Sequence, residues 1–286
     1  MSELSKYFTN AFSHSYKSKT PDEYVFQRGD YRFSVLSSRI IRVEKDEKRI
    51  FTDEATQTVI CRDFDRPQFS FSQDNNKIVI KTDDIIFRFD LSKGKTESIT
   101  LKDSRCVTNF KAGNLKGTYR TLDMINGSVR LGDGLMSTNG VSVVDDSKTV
   151  IVSTDGTLKE RRHIQKDEYY FAFGNDFRGC LKDFFKLCGS VPLVPRYCLG
   201  NWWSRFYRYN EESYLSLMDR FEQENLPFTV AVIDMDWHLV DIDPKYGSGW
   251  TGYTWNRELF PNPTRFLDNL HTRGMKVTLN VHPADG

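Results

Sequence analysis

Two rhythms of apolar and polar positions divide the chain. Up to about residue 175, apolar residues alternate with polar ones in short runs, the period-2 signature of strands with one face in a core. "YRFSVLSSRIIRVEK" places Phe33, Val35, Ile41 and Val43 on such a face. "KIVIKTDDIIFRFDLSKG" reads as two further strands joined by a hairpin turn at Asp83-Asp84. "SVVDDSKTVIVSTDGTL" repeats the pattern around an Asp155-Gly156 turn. Many short alternating strands with polar turns predict an antiparallel β-sandwich over residues 1–175.

From Asp176 the period changes. Phe177, Cys180, Leu181, Phe184 and Leu187 fall at helical spacing, and Gly189 sits where a C-cap belongs. "VPLVPRYCLGNWWSRF" then leads through two prolines into an apolar strand. A second helix is signed by Asn210 as N-cap, Glu211 and Glu212 in the first turn, and Tyr214, Leu217, Met218 and Phe221 on one face. Pro227 stops it, and "FTVAVIDMDWH", Phe228 to His238, follows as a strand. Asn262, Pro263, Phe266, Leu267 and Leu270 predict a third helix ended by Gly274, with "KVTLNVHP" as the next strand. Strands apolar on both faces that alternate with helices predict a parallel sheet, so residues 176–286 read as an α/β unit. Three strands do not close an eight-stranded barrel. The expectation is therefore a small open sheet or the front part of a longer protein.

Composition narrows the functional classes. The 286 residues are 38% hydrophobic and 28% charged, as in a soluble globular protein. A formal net charge of +1 gives no electrostatic reason to expect nucleic acid or an anionic membrane as partner. No apolar run of ~18 residues predicts a transmembrane helix. The polar N-terminus lacks the apolar core of a signal peptide, which points to the cytoplasm. Five cysteines without metal-ligand spacing fit reduced thiols packed as small hydrophobes. Aromatics reach 14%, which suits large cores and also flat ligands such as sugar rings.

The candidate chemistry gathers where the second strand ends. In an extended strand, Asp234 and Asp236 point to one face, with Cα atoms roughly 6.6 Å apart. The carboxyl ends of parallel strands are where α/β folds place their ligands. A hydrolytic acid/base pair is excluded, because its carboxyls must approach the scissile bond from different sides. Hydrogen-bonding of sugar hydroxyls remains open, with Met235 and Trp237 as apolar contacts for the ring. So do satisfaction of loop N–H groups and a metal site recruiting His238 or His282. Trp202 and Trp203 read as core, and His163 as a solvated loop residue. Arg205 and His282, beyond the ends of the first and third strands, are expected in a site or in a structural pair.

Together, "LVPRYCLGNWWSRFYRY", "AVIDMDWH" and "GWTGYTWNRELFPNPTRFLDNLHTRGMKVTLNVHPADG" resemble the start of the catalytic barrel of glycoside hydrolase family 31, whose members include α-glucosidases and α-xylosidases. "GNLKGTYRTLD" and "DGLMSTNGVSVVDDS" resemble its N-terminal, galactose-mutarotase-like sandwich. The resemblance, over most of residues 30–286, implies a multidomain β and α/β protein, a β-sandwich followed by the first strands of an incomplete (β/α)8 barrel. It implies a retaining α-glycosidase acting on an oligosaccharide or α-glycoside without a cofactor or metal. Asp234 would bind hydroxyls of the −1 sugar, Met235 would line the pocket beside it, and Arg205, Phe206 and His282 would border it. Asp123 would lie on a sandwich loop that reaches the site. The family's nucleophile and acid/base are expected beyond Gly286, so this chain alone is expected to be inactive, and oligomeric or dependent on a missing C-terminal part. A non-catalytic carbohydrate-binding protein and, less favoured, a metal-dependent hydrolase using Asp234, Asp236 and histidines are the competing expectations.

Overall fold

The computed structural model describes residues 16–117, 125–161, 163–191, 193–250 and 252–282. The chain divides into two compact units, Met1–Val191 and Pro192–Gly286. The boundary expected at 175/176 would have put the first helix in the second unit. That helix packs instead within the first.

In unit 1 the strands β1 (Val25–Arg28), β2 (Tyr31–Ser37) and β3 (Ile40–Lys45) are followed by the short β4 (Ala55–Thr56). A meander follows: β5 (Phe69–Asp74), β6 (Lys77–Thr82), β7 (Ile85–Asp90), β8 (Lys95–Leu101) and β9 (Cys106–Val107). Then come β10 (Val141–Asp145), β11 (Ile151–Val152), β12 (Leu158–Lys159) and β13 (Lys166–Ala172). Two five-stranded antiparallel sheets result, β1-β2-β3-β13-β10 and β5-β6-β7-β8-β9, beside a small sheet β12-β11-β4. Phe33, Val35, Ile41 and Val43 from the first five-stranded sheet share one core with Ile78, Ile80, Phe87 and Ile99 from the second. Apolar faces on two sheets bury each other, which is why the alternating pattern exists.

The expectation of half-buried strands at residues 31–45 is corrected by the structure: both faces are covered. Leu36, Ile40, Tyr169 and Phe171 on the far face pack with Cys180 and Leu187 of helix α1 (Phe177–Cys188). The alternating polar residues are therefore buried as well, and they pair. Arg42 donates to both oxygens of Asp167, at 2.7 and 2.8 Å, and meets Glu44 at 2.9 Å. Arg161 reaches Asp167 at 2.5 Å, and Arg32 holds Glu44 at 2.6 Å.

The cysteines differ from expectation in one case. Cys180 is buried, Cys61, Cys188 and Cys198 are half-buried, but Cys106 is exposed at the sheet edge. Burial pushes the Cys180 and Cys188 thiols up to about 12, which makes them unreactive.

In unit 2, β14 (Asn201–Trp203), β15 (Phe228–Ile233) and β16 (Lys276–Leu279) form a parallel sheet in that order. Helix α2 (Glu211–Gln223) links the first two, and α3 (Pro263–Thr272) precedes the third. Asn210 caps α2 in a reciprocal pair with Ser213, and Asn262 caps α3 by accepting from Arg265 N at 3.1 Å. Tyr214, Met218, Phe266 and Leu270 bury the helix faces against Ala231 and Ile233 of β15. No described helix is long and apolar enough to cross a membrane.

Asp167 gives unit 1 a definite pH response. Burial favours its neutral acid, but Arg42 and Arg161 outweigh that and hold its carboxyl down at about 2, against an ordinary 3.8. A depressed folded pKa contributes stability that is present above the unfolded value and lost as pH falls through the folded one. Asp146 has the opposite sign: burial raises it, so its contribution is present at low pH and lost as pH rises. Asp167→Ala is expected to cost about 3–5 kcal/mol at neutral pH, because it removes the carboxylate that two buried cations share and leaves Arg42 with only Glu44 and Arg161 with only Asp146. Equilibrium denaturation checks the cost. The acid-induced loss of stability between about pH 4 and 2 should shrink in the variant.

Candidate functional site

Parallel pairing fixes where the candidate residues meet. Trp203 pairs with Ala231, and Ile233 pairs with Leu279, so β14, β15 and β16 all end at the same edge. Residues 204–208, 234–238 and 280–282 leave the sheet there.

Asp234 is the first residue past β15. Its carboxylate accepts from the side-chain amide of Asn280, the first residue past β16. Oδ1 is used in that bond, and no described residue donates to Oδ2. Asn280 also donates its backbone N–H to Ile233 O at 3.0 Å, extending the ladder by one rung. Its amide nitrogen lies 3.4 Å from His282 Nε2. The exposed His282 ring meets Trp250 edge-on at 5.2 Å, within the loop that follows His238. That loop folds back tightly on itself: a Cβ on Gly249, at φ +81°, would lie 2.1 Å from Val240 O.

The shared face expected for Asp234 and Asp236 is not formed. The strand stops at Ile233, and Asp236 adopts a left-handed φ of 55°. That turn sends its carboxylate towards Arg208, with an N–O distance of 3.6 Å. The two aspartates thus have different partners, one an amide on the neighbouring strand and one a guanidinium beyond β14.

Trp237 is corrected too. It is 2% exposed, sits in the unit 2 core, and packs edge-on against Trp255 at 5.3 Å. Its indole N–H donates to Asn280 O at 2.7 Å. So buried, Trp237 presents no ring face to a sugar. Met235 beside it is half-buried.

Phe206 is 76% exposed, and the Arg205 guanidinium lies over Tyr207 at 4.6 Å. Trp203 packs against Phe221 and Phe228, as expected of a core residue, while Trp202 is half-exposed. His238 is buried, with Nδ1 at 3.1 Å from Leu239 O. His163 is exposed, and Asp123 lies outside the described residues. Among the described residues no group of three or more His, Cys, Asp or Glu is placed to hold a metal ion.

Sequence reasoning missed Asn280, Arg208 and Trp250. Asn280 had a signal: it interrupts the apolar run "KVTLNVHP" at the same end of the strand as His282. Arg208 and Trp250 had none, because their placement depends on the turn at Asp236 and on the folded-back loop.

Residues 191–285 match the glycosyl hydrolases family 31 TIM-barrel domain. An α-xylosidase, XylQ, from Lactiplantibacillus pentosus is 27% identical over 206 residues, covering 68% of this chain and 26% of that protein. An α-xylosidase from Saccharolobus solfataricus is 27% identical over 122 residues, 43% of this chain and 16% of that one. The chain thus spans about a quarter or less of these curated relatives' length. Among solved structures, the family 31 α-xylosidase from Xanthomonas citri superposes with a TM-score of 0.60 at 10% identity, over 88% of this chain and 47% of that one. One from a soil metagenome, complexed with xylose, gives 0.58 at 11% identity, over 90% and 45%. At such identities the likeness shows the fold.

The geometry separates packing from ligand contact at Trp237. Trp237→Ala should destabilise unit 2 by about 3–5 kcal/mol in equilibrium denaturation, the cost of an aromatic cavity. A loss below about 1 kcal/mol would return the side chain to a surface role.

Proposed function

We infer, for a chain whose residues 191–285 match the family 31 TIM-barrel domain, that it supplies the sugar-gripping wall of a retaining α-glycosidase of that family. The two five-stranded sheets of unit 1 are read as the N-terminal β-sandwich. The parallel strands of unit 2 are read as the first three of a (β/α)8 barrel. The observation that carries the reading is Asp234, at the carboxyl end of the central parallel strand. Asn280 orients its carboxylate, and Oδ2 is left without a donor among the described residues.

An ionised carboxylate held in this way accepts strong hydrogen bonds from sugar hydroxyls. Those bonds strengthen as positive charge develops at the anomeric carbon, which is how a binding residue lowers a barrier. Met235, His282, Arg205 and Phe206 border the same sugar in this reading. Asp236 leaves the ligand set and becomes the anchor of the 234–238 turn through Arg208. The chemistry itself, attack by a carboxylate and hydrolysis of the glycosyl-enzyme by water, belongs to carboxylates on later strands. The α-xylosidases and α-glucosidases among the relatives favour a neutral α-linked pyranoside as substrate.

Titration of the 286-residue chain with methyl α-D-xylopyranoside and methyl α-D-glucopyranoside tests this, read by NMR at residues 234–238 and 280–282. Saturable shifts there are expected, and Asp234→Ala should weaken binding at least about tenfold, or ~1.4 kcal/mol. Unchanged binding in that variant would remove Asp234 from the sugar. The isolated chain should not release the chromophore of an aryl α-glycoside. Turnover that survives repurification would overturn the assignment of the chemistry to later strands.

A further inference from the structure

We propose that unit 1 carries a second binding site, for a neutral oligosaccharide, at the open end between its two five-stranded sheets. A cavity of about 750 Å³ lies there, a volume that suits a small oligosaccharide.

Its floor is apolar. Val143 and Tyr170 are cross-strand partners on β10 and β13, and Phe110 meets the Tyr170 ring edge-on at 5.4 Å. Tyr170 belongs to the core that the two sheets share, and Phe110 and Val143 are half-buried against it. The wall above them is polar and of both signs. Lys93, Lys95 and Lys111 line the cavity together with Glu97, Asp133, Asp145 and Glu168. Tyr170 donates its hydroxyl proton to Glu168 at 2.6 Å, so that carboxylate is fixed in place. The Thr96 hydroxyl, on a side chain 7% exposed, lines the cavity and makes no hydrogen bond of normal geometry. Asn114 closes one side through a reciprocal amide pair with Gly134, at 2.8 and 2.9 Å.

Charge selects the ligand. An anion entering the cavity meets four carboxylates, and a cation meets three ammonium groups. A neutral molecule with many hydroxyls donates to the first and accepts from the second. It also needs an apolar face to cover the half-buried Phe110 and Val143. A pyranose ring has both features. This ligand class follows from the lining of the cavity itself, and none of these residues belongs to the Asp234 site.

The test uses the full 286-residue chain, with maltotriose as probe and glucuronate, glucosamine and inorganic phosphate as charged controls. The methyl signals of Val143 and the ring signals of Phe110 report the site by NMR. Maltotriose is expected to shift both saturably, in the native chain and equally in Asp234→Ala. Thr108→Arg, at an exposed residue of the cavity lining, should weaken this response at least about tenfold without changing Tm. Phe110→Ala should do the same, and Thr108→Arg keeps the test intact if that variant loses stability. The proposal is overturned if maltotriose leaves Val143 unmoved, if Asp234→Ala abolishes the shift, or if a charged control shifts it more strongly. A Val143 response alongside an Asp234 site that ignores sugar would leave this proposal standing while the proposed function fell.

Discussion

One asparagine fastens the candidate site of unit 2. Asn280 uses its backbone N–H to extend the β15–β16 ladder, its carbonyl to hold the Trp237 indole, and its amide to orient Asp234. Each bond makes the others better defined. The ladder sets where Asn280 stands, the indole stops the 234–238 segment from drifting, and the amide then meets a carboxylate that has nowhere else to go. A charged group placed by the fold before its ligand arrives needs no reorganisation when it arrives. The turn at Asp236 follows from the same constraint. With Trp237 drawn into the core and Asp234 kept at the strand end, the two residues between must reverse the chain. A left-handed aspartate tied to Arg208 is how this chain does so.

Unit 1 solves the opposite problem, charges that must be hidden. Glu44 and Asp167 are directly opposed on β3 and β13, a like-charge pair that would force the strands apart. Arg42 lies between them and contacts both, with Arg32 and Arg161 completing the neutralisation. Such a network is weak evidence for net stability, because desolvating the ions cancels most of their attraction. It does fix register. A slip of one residue would turn these charges into the core shared with the other sheet, against Phe87 and Ile80.

What could be read in the sequence was mostly local. Asn210 before Glu211-Glu212, Asn262 before Pro263, and the turns at Asp83-Asp84 and Asp155-Gly156 each act within a few residues, so their signals lie side by side. The parallel sheet was legible for a related reason, since β15 must be apolar wherever its neighbours come from. The second buried face of β2 and β3 was not legible. Alternation assigns Arg32, Arg42 and Glu44 to solvent, and only the packing of α1 and the strands around it reverses that. The separation of Asp234 from Asp236 was hidden by one backbone angle, a left-handed φ that aspartate adopts more readily than most residues but that its presence alone does not announce.

Burial sorts the residues gathered at the strand ends by a one-way argument. A side chain already buried in this chain stays buried whatever else packs on it, whereas an exposed one is still undecided. Trp237 therefore belongs to the core, although an aromatic ring behind two carboxylates has the look of a sugar platform. Phe206, Arg205 and His282 remain on the surface. Asp234 lies between these cases, with one oxygen committed to Asn280 and the other to no described residue. A carboxylate can be divided in this way at the end of a buried strand because the ladder of the neighbouring strand supplies the amide that fixes one oxygen.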